Sequence, residues 1–323
     1  MKKTILVTGG SGYQGVKLIE RLIKDNYNVI NIDRTKKDIP GVTLYPFDID
    51  NHQLKGVIKL TQPDTIMHFA AEHEVARGES EPGLFYQNNI GNTIALLNHA
   101  VEAGVKNFVF SSSSSVYGDI QTFPTTEDTS KNPVGAYGRS KSIIEDLLPD
   151  YKRAYGLNYA ALRYFNAAGA DPDAEVGELR ELETHIIPLA INASLRGNEF
   201  NMFGDDYKTP DGTCVRDYIH VMDLADAHIQ AINLVGNGIN CNSFNLGSGI
   251  PTSNKQLLDS VKKFTGDFKI NIKPRRPGDP DSLVADISNT MKYLNWQPQL
   301  SSIDKIVSTA VNWHKKANKK EIQ

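Results

Sequence analysis

Tyr137 and Lys141 are the two residues of this sequence with the clearest capacity for chemistry. They lie four positions apart, in the segment Tyr137-Gly138-Arg139-Ser140-Lys141, and that spacing places both side chains on one face of a helix. An ammonium group beside a phenol stabilises the phenolate and lowers the pKa of the tyrosine from its ordinary value of about 10. A tyrosine that ionises near neutral pH is a general base. The pair therefore indicates proton transfer, although the same spacing is also common on solvated helix faces.

A glycine-rich turn near the beginning of the chain indicates a nucleotide site. Gly9, Gly12 and Gly15 follow the apolar residues 5–7 and precede apolar residues with helical spacing. Glycines between a strand and a helix allow a tight turn and let backbone N–H groups reach a diphosphate at the helix N-terminus. The spacing differs from G-x-G-x-x-G, so the prediction depends on the strand–turn–helix context.

Asp33 ends the next strand-like segment, residues 29–32, and indicates which dinucleotide binds. A carboxylate there accepts hydrogen bonds from the ribose hydroxyls and repels a 2′-phosphate, which favours NAD over NADP. Arg34 would weaken that repulsion, so the preference is not settled by Asp33 alone. Asp48 and Ile49 follow a third apolar segment and are candidates to flank the adenine.

The elements that must position these residues alternate between strand and helix. Apolar runs at residues 65–69, 108–110 and 159–162 predict strands, and residues 94–97 belong to a predicted helix. Such alternation over the first 165 residues predicts an α/β fold with a doubly wound, parallel, Rossmann-type sheet.

The regular alternation of strand and helix patterns ends at about residue 168. Residues 171–183 are acidic and poor in strand formers, which predicts a loop, and turn-rich segments follow. A helix is predicted near residues 303–313. We therefore predict an NAD-binding domain over residues 1–167 and a smaller, mixed α/β substrate lobe over residues 168–323.

Composition excludes several classes of protein. The chain has 323 residues, is 40% hydrophobic and 23% charged, and carries a formal net charge of −3, which gives no electrostatic reason to expect nucleic acid or anionic membrane as a partner. Cys214 and Cys241 make neither a disulfide framework nor a metal site and fit a reducing cytoplasm. No apolar run approaches a signal peptide or a membrane span of about 20 residues. We expect a soluble, cytoplasmic protein without a metal.

Several segments together resemble the UDP-galactose 4-epimerase family of the extended short-chain dehydrogenase/reductase superfamily. The glycine turn, the serine run before Val116-Tyr117-Gly118 and the Tyr137/Lys141 pair carry the resemblance to the superfamily. The resemblance to the narrower family covers essentially the whole chain, and its most specific part is Asp-Gly-Thr-Cys-Val-Arg-Asp-Tyr-Ile-His-Val at residues 211–221. Its other parts are residues 162–166, 203–207 and 276–279.

The resemblance implies an enzyme that interconverts UDP-glucose and UDP-galactose through a transient 4-keto-hexose, with retained NAD and as a homodimer. Tyr137 would be the catalytic base, Lys141 its electrostatic partner and a ligand of the nicotinamide ribose, and Ser113 the hydrogen-bond partner of the sugar 4-hydroxyl. The remaining residues implied to contact NAD are Gly9, Gly12, Tyr13, Gln14, Gly15, Asp33, Asp48, Ile49, Phe69, Ala70, Ala71, Asn88, Ser111 and Tyr164. Those implied to contact the UDP-hexose, besides Ser113 and Tyr137, are Asn166, His185, Asn201, Phe203, Arg216, Arg276, Asp279 and Leu283.

Two positions depart from the family pattern. The family usually has Gly-Leu-Lys-Ala-Val where this chain has Ala-Glu-His-Glu-Val at residues 71–75, so His73 replaces a lysine that lies near the cofactor. Leu283 stands where the family places a large or a small residue beside the C2 substituent of the sugar. Leucine is intermediate in size, which leaves the acceptance of N-acetylhexosamines open.

Other functions on the same fold are disfavoured or stay open. A nucleotide-sugar 4,6-dehydratase needs an acid/base pair beside the active-site hydroxyl residue, and residues 113–117 contain no carboxylate. Epimerases of UDP-N-acetylglucosamine or of UDP-pentoses are not excluded by these residues. A non-catalytic NAD-sensing protein typically loses the tyrosine or the lysine, and this chain keeps both.

Overall fold

The structure, a computed structural model, describes residues 2–120, 123–180, 183–238, 242–276 and 279–321. Cys241 and the dipeptide Pro277-Gly278 of the segment 276–279 lie outside the described residues. Cys214 is buried with a free thiol. Within the described ranges, no helix is both long enough and apolar enough to cross a membrane.

Strands and helices alternate along most of the described chain. The strands are β1 (Thr4–Thr8), β2 (Asn28–Ile32), β3 (Val42–Tyr45), β4 (Thr65–His68), β5 (Asn107–Ser113), β6 (Asn158–Tyr164), β7 (Asn166–Ala168), β8 (Phe200–Phe203), β9 (Val215–Arg216), β10 (Tyr218–His220), β11 (Asn242–Leu246), β12 (Thr252–Ser253), β13 (Ile270–Lys273) and β14 (Ser282–Leu283). The helices are α1 (Tyr13–Lys24), α2 (Leu54–Thr61), α3 (Val75–Ser80), α4 (Pro82–Tyr86), α5 (Asn92–Glu102), α6 (Ala136–Tyr155), α7 (Ile186–Leu195), α8 (Val221–Gly236), α9 (Asn254–Thr265), α10 (Ser288–Leu294) and α11 (Ile303–Glu321). A π-helical turn at Gln87–Gly91 joins α4 to α5, and a 3-10 turn at Ser114–Val116 follows β5.

Seven of the described strands form one parallel sheet in the order β11-β6-β5-β4-β1-β2-β3. The order of the strands reverses between β1 and β4, and open α/β sheets bind ligands outside the carboxyl ends of the strands at such a switch point. The backbone N–H groups of Phe69 and Ala70 donate to the Thr8 carbonyl at 2.9 and 3.1 Å, so the segments that leave these two strands run side by side. The predicted Rossmann-type fold is confirmed.

Continuous apolar runs form the central strands because helices cover both faces of the sheet. In β1, Ile5 and Val7 pack into the core beneath α1 and α8, while Leu6 packs into the core beneath α2, α5 and α6. Successive side chains of a strand point to opposite faces, so a strand covered on both sides needs apolar residues at every position. The apolar run of β1 ends at the glycine turn, where the chain leaves the covered part of the sheet.

A third core lies among α7, α9 and α11 in the second half of the chain. There β8 pairs with β13 and β9 lies between β12 and β14. The chain also returns to the large sheet after residue 168, because β11 pairs with β6 and α8 packs beside α1. The domain boundary at residues 167/168 stays a prediction.

Candidate active site

A cavity of about 770 Å³ opens at the switch point of the large sheet and extends to the third core. Its volume falls within the range of roughly 300–1,000 Å³ that is usual for ligand sites. Every site residue predicted from the sequence, except Leu283, lies on the cavity wall. The structure thus brings together residues from the glycine turn, from the ends of β4, β5 and β6, and from β8 and β9.

The glycine turn fits a bound diphosphate. Gly9 has a positive φ of 73°, and a Cβ there would lie 2.6 Å from the backbone nitrogen of Ala70. A Cβ on Gly12 would meet only the Gly9 carbonyl oxygen, at 3.6 Å, so packing within the protein does not require glycine there. Its small size instead keeps the turn open towards the cavity. Helix α1 begins directly after Gly12 with no side-chain cap and no acid in its first turn, which leaves its positive end available to an anion.

Asp33 is held in place at the adenosine end of this site. Its carboxylate accepts hydrogen bonds from the backbone N–H groups of Ser11 at 2.9 Å and Thr35 at 2.7 Å. A carboxylate has about four acceptor positions, so acceptors remain for ribose hydroxyls. Arg34 Nη1 lies 3.4 Å from Glu72 and 3.9 Å from Asp48. The positive charge of Arg34 is therefore paired with carboxylates of the protein and is not free to attract a 2′-phosphate. The arrangement fits NAD.

Helix α6 and the serine run position the residues predicted to transfer a proton. The Tyr137 hydroxyl group forms a hydrogen bond with the Ser113 side chain, and Ser113 Oγ accepts from the backbone N–H of Ser115 at 3.1 Å. A Cβ on Gly138 would lie 2.5 Å from the Ser115 carbonyl oxygen. Glycine at that position therefore allows α6 to approach the serine run closely enough for Tyr137 and Ser113 to meet.

The electrostatics of Tyr137 differ from the expectation drawn from the sequence. Burial raises the pKa of Tyr137, while the hydrogen bond from Ser113 and the charge of Arg180 oppose that rise. Lys141 Nζ donates to the Ser111 carbonyl at 2.8 Å and lies 5.8 Å from the centre of the Tyr137 ring. Burial lowers the pKa of Lys141 to about 7. Lys141 thus gives up part of its own charge, and Ser113 and Arg180 are the groups that favour the phenolate.

A buried ion pair beneath the site was not predicted from the sequence. Arg163 on β6 donates from Nη2 to Glu145 Oε2 on α6 at 2.7 Å, and its Nη1 donates to the Tyr117 hydroxyl at 2.8 Å. Ser112 Oγ on β5 donates to Glu145 Oε1 at 2.5 Å. The pair therefore connects α6, which carries Tyr137, to the two strands whose ends carry Ser113 and Tyr164. The 18-residue separation of its members leaves no motif by which it could have been found.

The predicted cofactor residues Tyr164 and Phe69 share a buried histidine. His228 Nδ1 donates to the Leu224 carbonyl at 2.7 Å, so Nε2 accepts from the Tyr164 hydroxyl group at 2.5 Å. The Phe69 ring stacks on the imidazole at a centroid distance of 4.9 Å. Burial lowers the pKa of His228 to about 4, which keeps the ring neutral.

Asn88 lies in the π-helical turn between α4 and α5. Its side-chain oxygen accepts a hydrogen bond from Asn92 Nδ2 at 3.3 Å. Single π-helical turns are frequent at functional sites, but helical periodicity in the sequence does not reveal them. The predicted contact of Asn88 with the cofactor stays a prediction.

The far end of the cavity carries charges and a ring suited to a nucleoside diphosphate. Arg216 donates to Asp279 and to the Pro280 carbonyl, the latter at 2.9 Å. The Arg276 guanidinium lies 4.2 Å from the centre of the Phe203 ring. Arginines bind diphosphates through paired N–H groups, and aromatic faces accept a flat base. Nearby, Asn166 Nδ2 donates to the Asp217 carbonyl at 2.8 Å, and Asn201 lies on β8.

Leu283 is the predicted site residue that the cavity wall does not include. It pairs with Arg216 through the two-residue contact of β14 with β9. Its side chain packs against the buried cluster of Val116, Tyr117, Phe165 and Ala285. Its predicted position beside the sugar C2 substituent stays a prediction.

Comparison with known proteins identifies the family. A model described as the NAD dependent epimerase/dehydratase family matches residues 5–247. The UDP-glucose 4-epimerase of Rhizobium meliloti (strain 1021) is 42% identical over 321 residues, with 97% of this chain and 98% of that protein covered. That of Lactobacillus helveticus is 40% identical over 319 residues, with 96% and 97% covered.

Solved structures also match over nearly the whole chain. The UDP-glucose 4-epimerase from Brucella ovis in complex with NAD superposes with a TM-score of 0.91 at 37% identity, over 96% of this chain and 98% of that chain. The UDP-glucose-4-epimerase from Stenotrophomonas maltophila with bound NAD and formylated UDP-arabinopyranose gives 0.94 at 31% identity, over 98% and 99%. With its glycine turn, its Tyr137–Ser113 contact and these matches over nearly its whole length, the chain belongs to the NAD dependent epimerase/dehydratase family.

Proposed function

We propose that this chain is an NAD-dependent 4-epimerase that interconverts UDP-glucose and UDP-galactose through a transient 4-keto-hexose. The observation that carries the proposal is the continuity of one cavity, which joins the glycine turn, the Tyr137–Ser113 pair and the Arg216–Asp279 end. Relatives of 40–42% identity bear the name UDP-glucose 4-epimerase. The Brucella ovis neighbour holds NAD, and the same cofactor fits the glycine turn and Asp33 of this chain.

Tyr137 and Ser113 act on the 4-hydroxyl group of the sugar. Ser113 aligns that hydroxyl, and the Tyr137 oxygen takes its proton as the C4–O bond becomes a carbonyl. NAD, when bound, supplies the acceptor for the hydride that leaves C4 and returns to it. Tyr137 then gives the proton back when the carbonyl is reduced on its opposite face, so the enzyme ends each cycle unchanged.

The two ends of the cavity perform different tasks during this cycle. Arg216 and Arg276 hold the diphosphate of the substrate, and Asp279 accepts hydrogen bonds from the uridine ribose. The hexose is held less firmly, because its ring must turn by half a revolution between oxidation and reduction while the diphosphate stays bound. Binding energy from the non-reacting nucleotide thereby retains the intermediate.

Assembly and location belong to the same proposal. The family resemblance supports a homodimer formed through a helix pair of the first domain. Helices α5 and α6 are the candidates, since Tyr151 of α6 donates to Asn98 of α5 at 2.6 Å on the exposed side of that layer. A cytoplasmic location and a place in galactose metabolism agree with the substrate proposed.

A panel of UDP-sugars, offered to the purified protein without added NAD, tests the function. We expect UDP-galactose and UDP-glucose to interconvert, with no requirement for added cofactor. UDP-N-acetylglucosamine, UDP-N-acetylgalactosamine and UDP-pentoses in the same panel test the alternative substrates. A turnover that consumes NAD stoichiometrically and accumulates its reduced form would show a dehydrogenase instead.

A further inference from the structure

Residues 169–180, which we call the strap, cross from helix α1 to helix α11 beside the cavity. On the α1 side, the Tyr13 hydroxyl group donates to the Gly169 carbonyl. One helical turn later, Lys17 Nζ lies 2.9 Å from Asp171 Oδ2, and both side chains are only 7% exposed. The strap is therefore attached to the same helix whose N-terminus faces the glycine turn.

The other side of the strap is attached to α11. Trp313 Nε1 donates to the Glu178 carbonyl at 3.0 Å, and Lys316 Nζ lies 2.5 Å from Glu175 Oε1. Gly177 packs against the Trp313 indole so closely that a Cβ there would lie 2.3 Å from its Cγ atom. A β-bridge between Ala170 and Gly177 closes the strap on itself, which places Glu178 near Gly169 and thus near Tyr13.

Arg180 lies at the end of the strap and on the cavity wall. Its Nε donates to Glu178 Oε1 at 2.8 Å, and Glu178 also lies 2.7 Å from His185 Nδ1. The Arg180 side chain is 24% exposed. Glu178 accepts from one N–H group of Arg180. A guanidinium carries four more N–H groups on its terminal nitrogens, and these can donate to a ligand. The charge of Arg180 opposes the rise in pKa that burial causes in Tyr13 and Tyr137. Burial lowers the pKa of His73, and the charge of Arg180 lowers it further.

Four other arginine or lysine side chains lie on the described part of the cavity wall. Arg34 faces Glu72 and Asp48, and Lys141 bonds to the Ser111 carbonyl. Arg216 and Arg276 lie at the uridine end. Arg180 differs from them because the strap that carries it is bonded to Tyr13, the residue after Gly12 of the glycine turn, and its charge acts on that same tyrosine.

We propose that Arg180 binds the diphosphate of NAD. The strap holds Arg180 in place, so that NAD is retained between turnovers. The inference rests on the proposed function for the identity of the cofactor. The group that Arg180 would bind is a nucleotide diphosphate. Two molecules carry one, the cofactor and the UDP-sugar. The strap is bonded to Tyr13 and Lys17 of α1, the helix that follows the glycine turn, and this favours the diphosphate of the cofactor.

The rate at which bound NAD is released tests this proposal without a turnover assay. Purified holoenzyme would be filtered free of unbound nucleotide and then diluted into buffer, and the NAD that remains bound would be quantified over time after denaturation. We expect Arg180→Met to release NAD about tenfold to hundredfold faster than the wild type, since a hydrogen bond to a charged group is lost. Arg180→Lys, which keeps a point charge, should lie between the two.

Arg21→Met is the matched control, because Arg21 lies on the same helix as Lys17 but pairs with Asp25 and Asp226 outside the cavity. It should release NAD at the wild-type rate, and melting curves of the nucleotide-free variants should coincide. An unchanged release rate in Arg180→Met would overturn the proposal, as would a variant that binds UDP more weakly but keeps its NAD. A wild-type protein that carries no NAD would instead contradict the proposed function.

Discussion

At the scale of single residues, the chemistry depends on what surrounds the Tyr137 oxygen. Ser113 bonds to it and Arg180 lies within electrostatic reach, while burial opposes ionisation. Residue types and their spacing indicated Tyr137 as the base, and the family resemblance implied Ser113 as the hydrogen-bond partner of the sugar 4-hydroxyl. They did not predict Arg180, because its place depends on contacts of the strap with two helices that are distant in sequence.

Tyr137→Phe removes only the ionisable oxygen of this pair. We expect turnover of UDP-galactose to fall by about 10²–10⁴-fold, the usual contribution of general acid–base catalysis, with the NAD content unchanged. Tyr155→Phe is the matched control, since Tyr155 lies on the same helix and is exposed. Measuring kcat and bound NAD on both variants decides the matter: near-normal turnover by Tyr137→Phe would exclude the assigned base.

Asp33→Ala tests the recognition of the adenosine ribose. We expect it to weaken NAD binding and to narrow the preference for NAD over NADP by about tenfold, because it removes both the ribose acceptor and the charge that repels a 2′-phosphate. Titration of nucleotide-free protein with each dinucleotide measures the ratio. Asp38→Ala, which alters an exposed acid after the same strand, is the control and should leave the ratio of NAD affinity to NADP affinity unchanged. The same unchanged ratio in Asp33→Ala would argue against a role of Asp33 in recognising the ribose.

At the scale of elements, the Arg163–Glu145 ion pair holds α6 against β5 and β6. Both side chains are buried, and the pair shares its hydrogen bonds with Ser112 and Tyr117. Such a network fixes the distance between the helix that carries Tyr137 and the strand end that carries Ser113. Its stability therefore bears directly on the geometry of the site.

Arg163→Met should lower the free energy of unfolding by about 3–5 kcal/mol, because Glu145 would keep a buried charge without its main partner. Urea denaturation measures the loss. The double variant Glu145→Gln/Arg163→Met should lose less than the single variant, since no charge is stranded. Arg77→Met, in an exposed pair with Glu81, should leave stability unchanged. A single variant as stable as the wild type would show that the pair does not hold α6.

Hydrophobic periodicity predicted most elements of the first half of the chain. The strands at residues 65–69, 108–110 and 159–162 are all present, because a parallel sheet covered on both faces needs continuous apolar runs. The return of β11 to this sheet was not predicted, since pairing with β6 is a long-range choice that local pattern does not encode. The packing of Leu283 against Val116, Tyr117, Phe165 and Ala285 was not predicted for the same reason, because it depends on the pairing of β14 with β9.

At the scale of the whole molecule, one cavity connects the sheet's switch point with the third core. The sheet supplies the cofactor end, and the region around β8 and β9 supplies the substrate end. Neither half of the chain could perform the proposed reaction alone. The resemblance to a family, rather than periodicity, predicted the substrate end, because its residues lie in short strands and turns.

The proposed homodimer is tested by sedimentation equilibrium of the holoenzyme. We expect twice the mass of one chain at micromolar concentration. Tyr151→Arg on α6 should shift the mass towards that of one chain, since a charge would be placed on the helix face proposed to meet the second copy, and charged residues are depleted at the core of such interfaces. Leu60→Arg, at an exposed position on α2, serves as the control. A wild-type mass of one chain would refute the dimer.

The central claim is that the hydride removed from C4 returns to the same carbon within one cycle. Its most direct test uses UDP-galactose that carries deuterium at C4, incubated in ordinary water with purified protein and no added NAD. We predict that the UDP-glucose formed keeps the full deuterium content at C4 when examined by mass spectrometry and proton NMR. Loss of the deuterium to solvent, or its appearance in free reduced cofactor, would contradict the account.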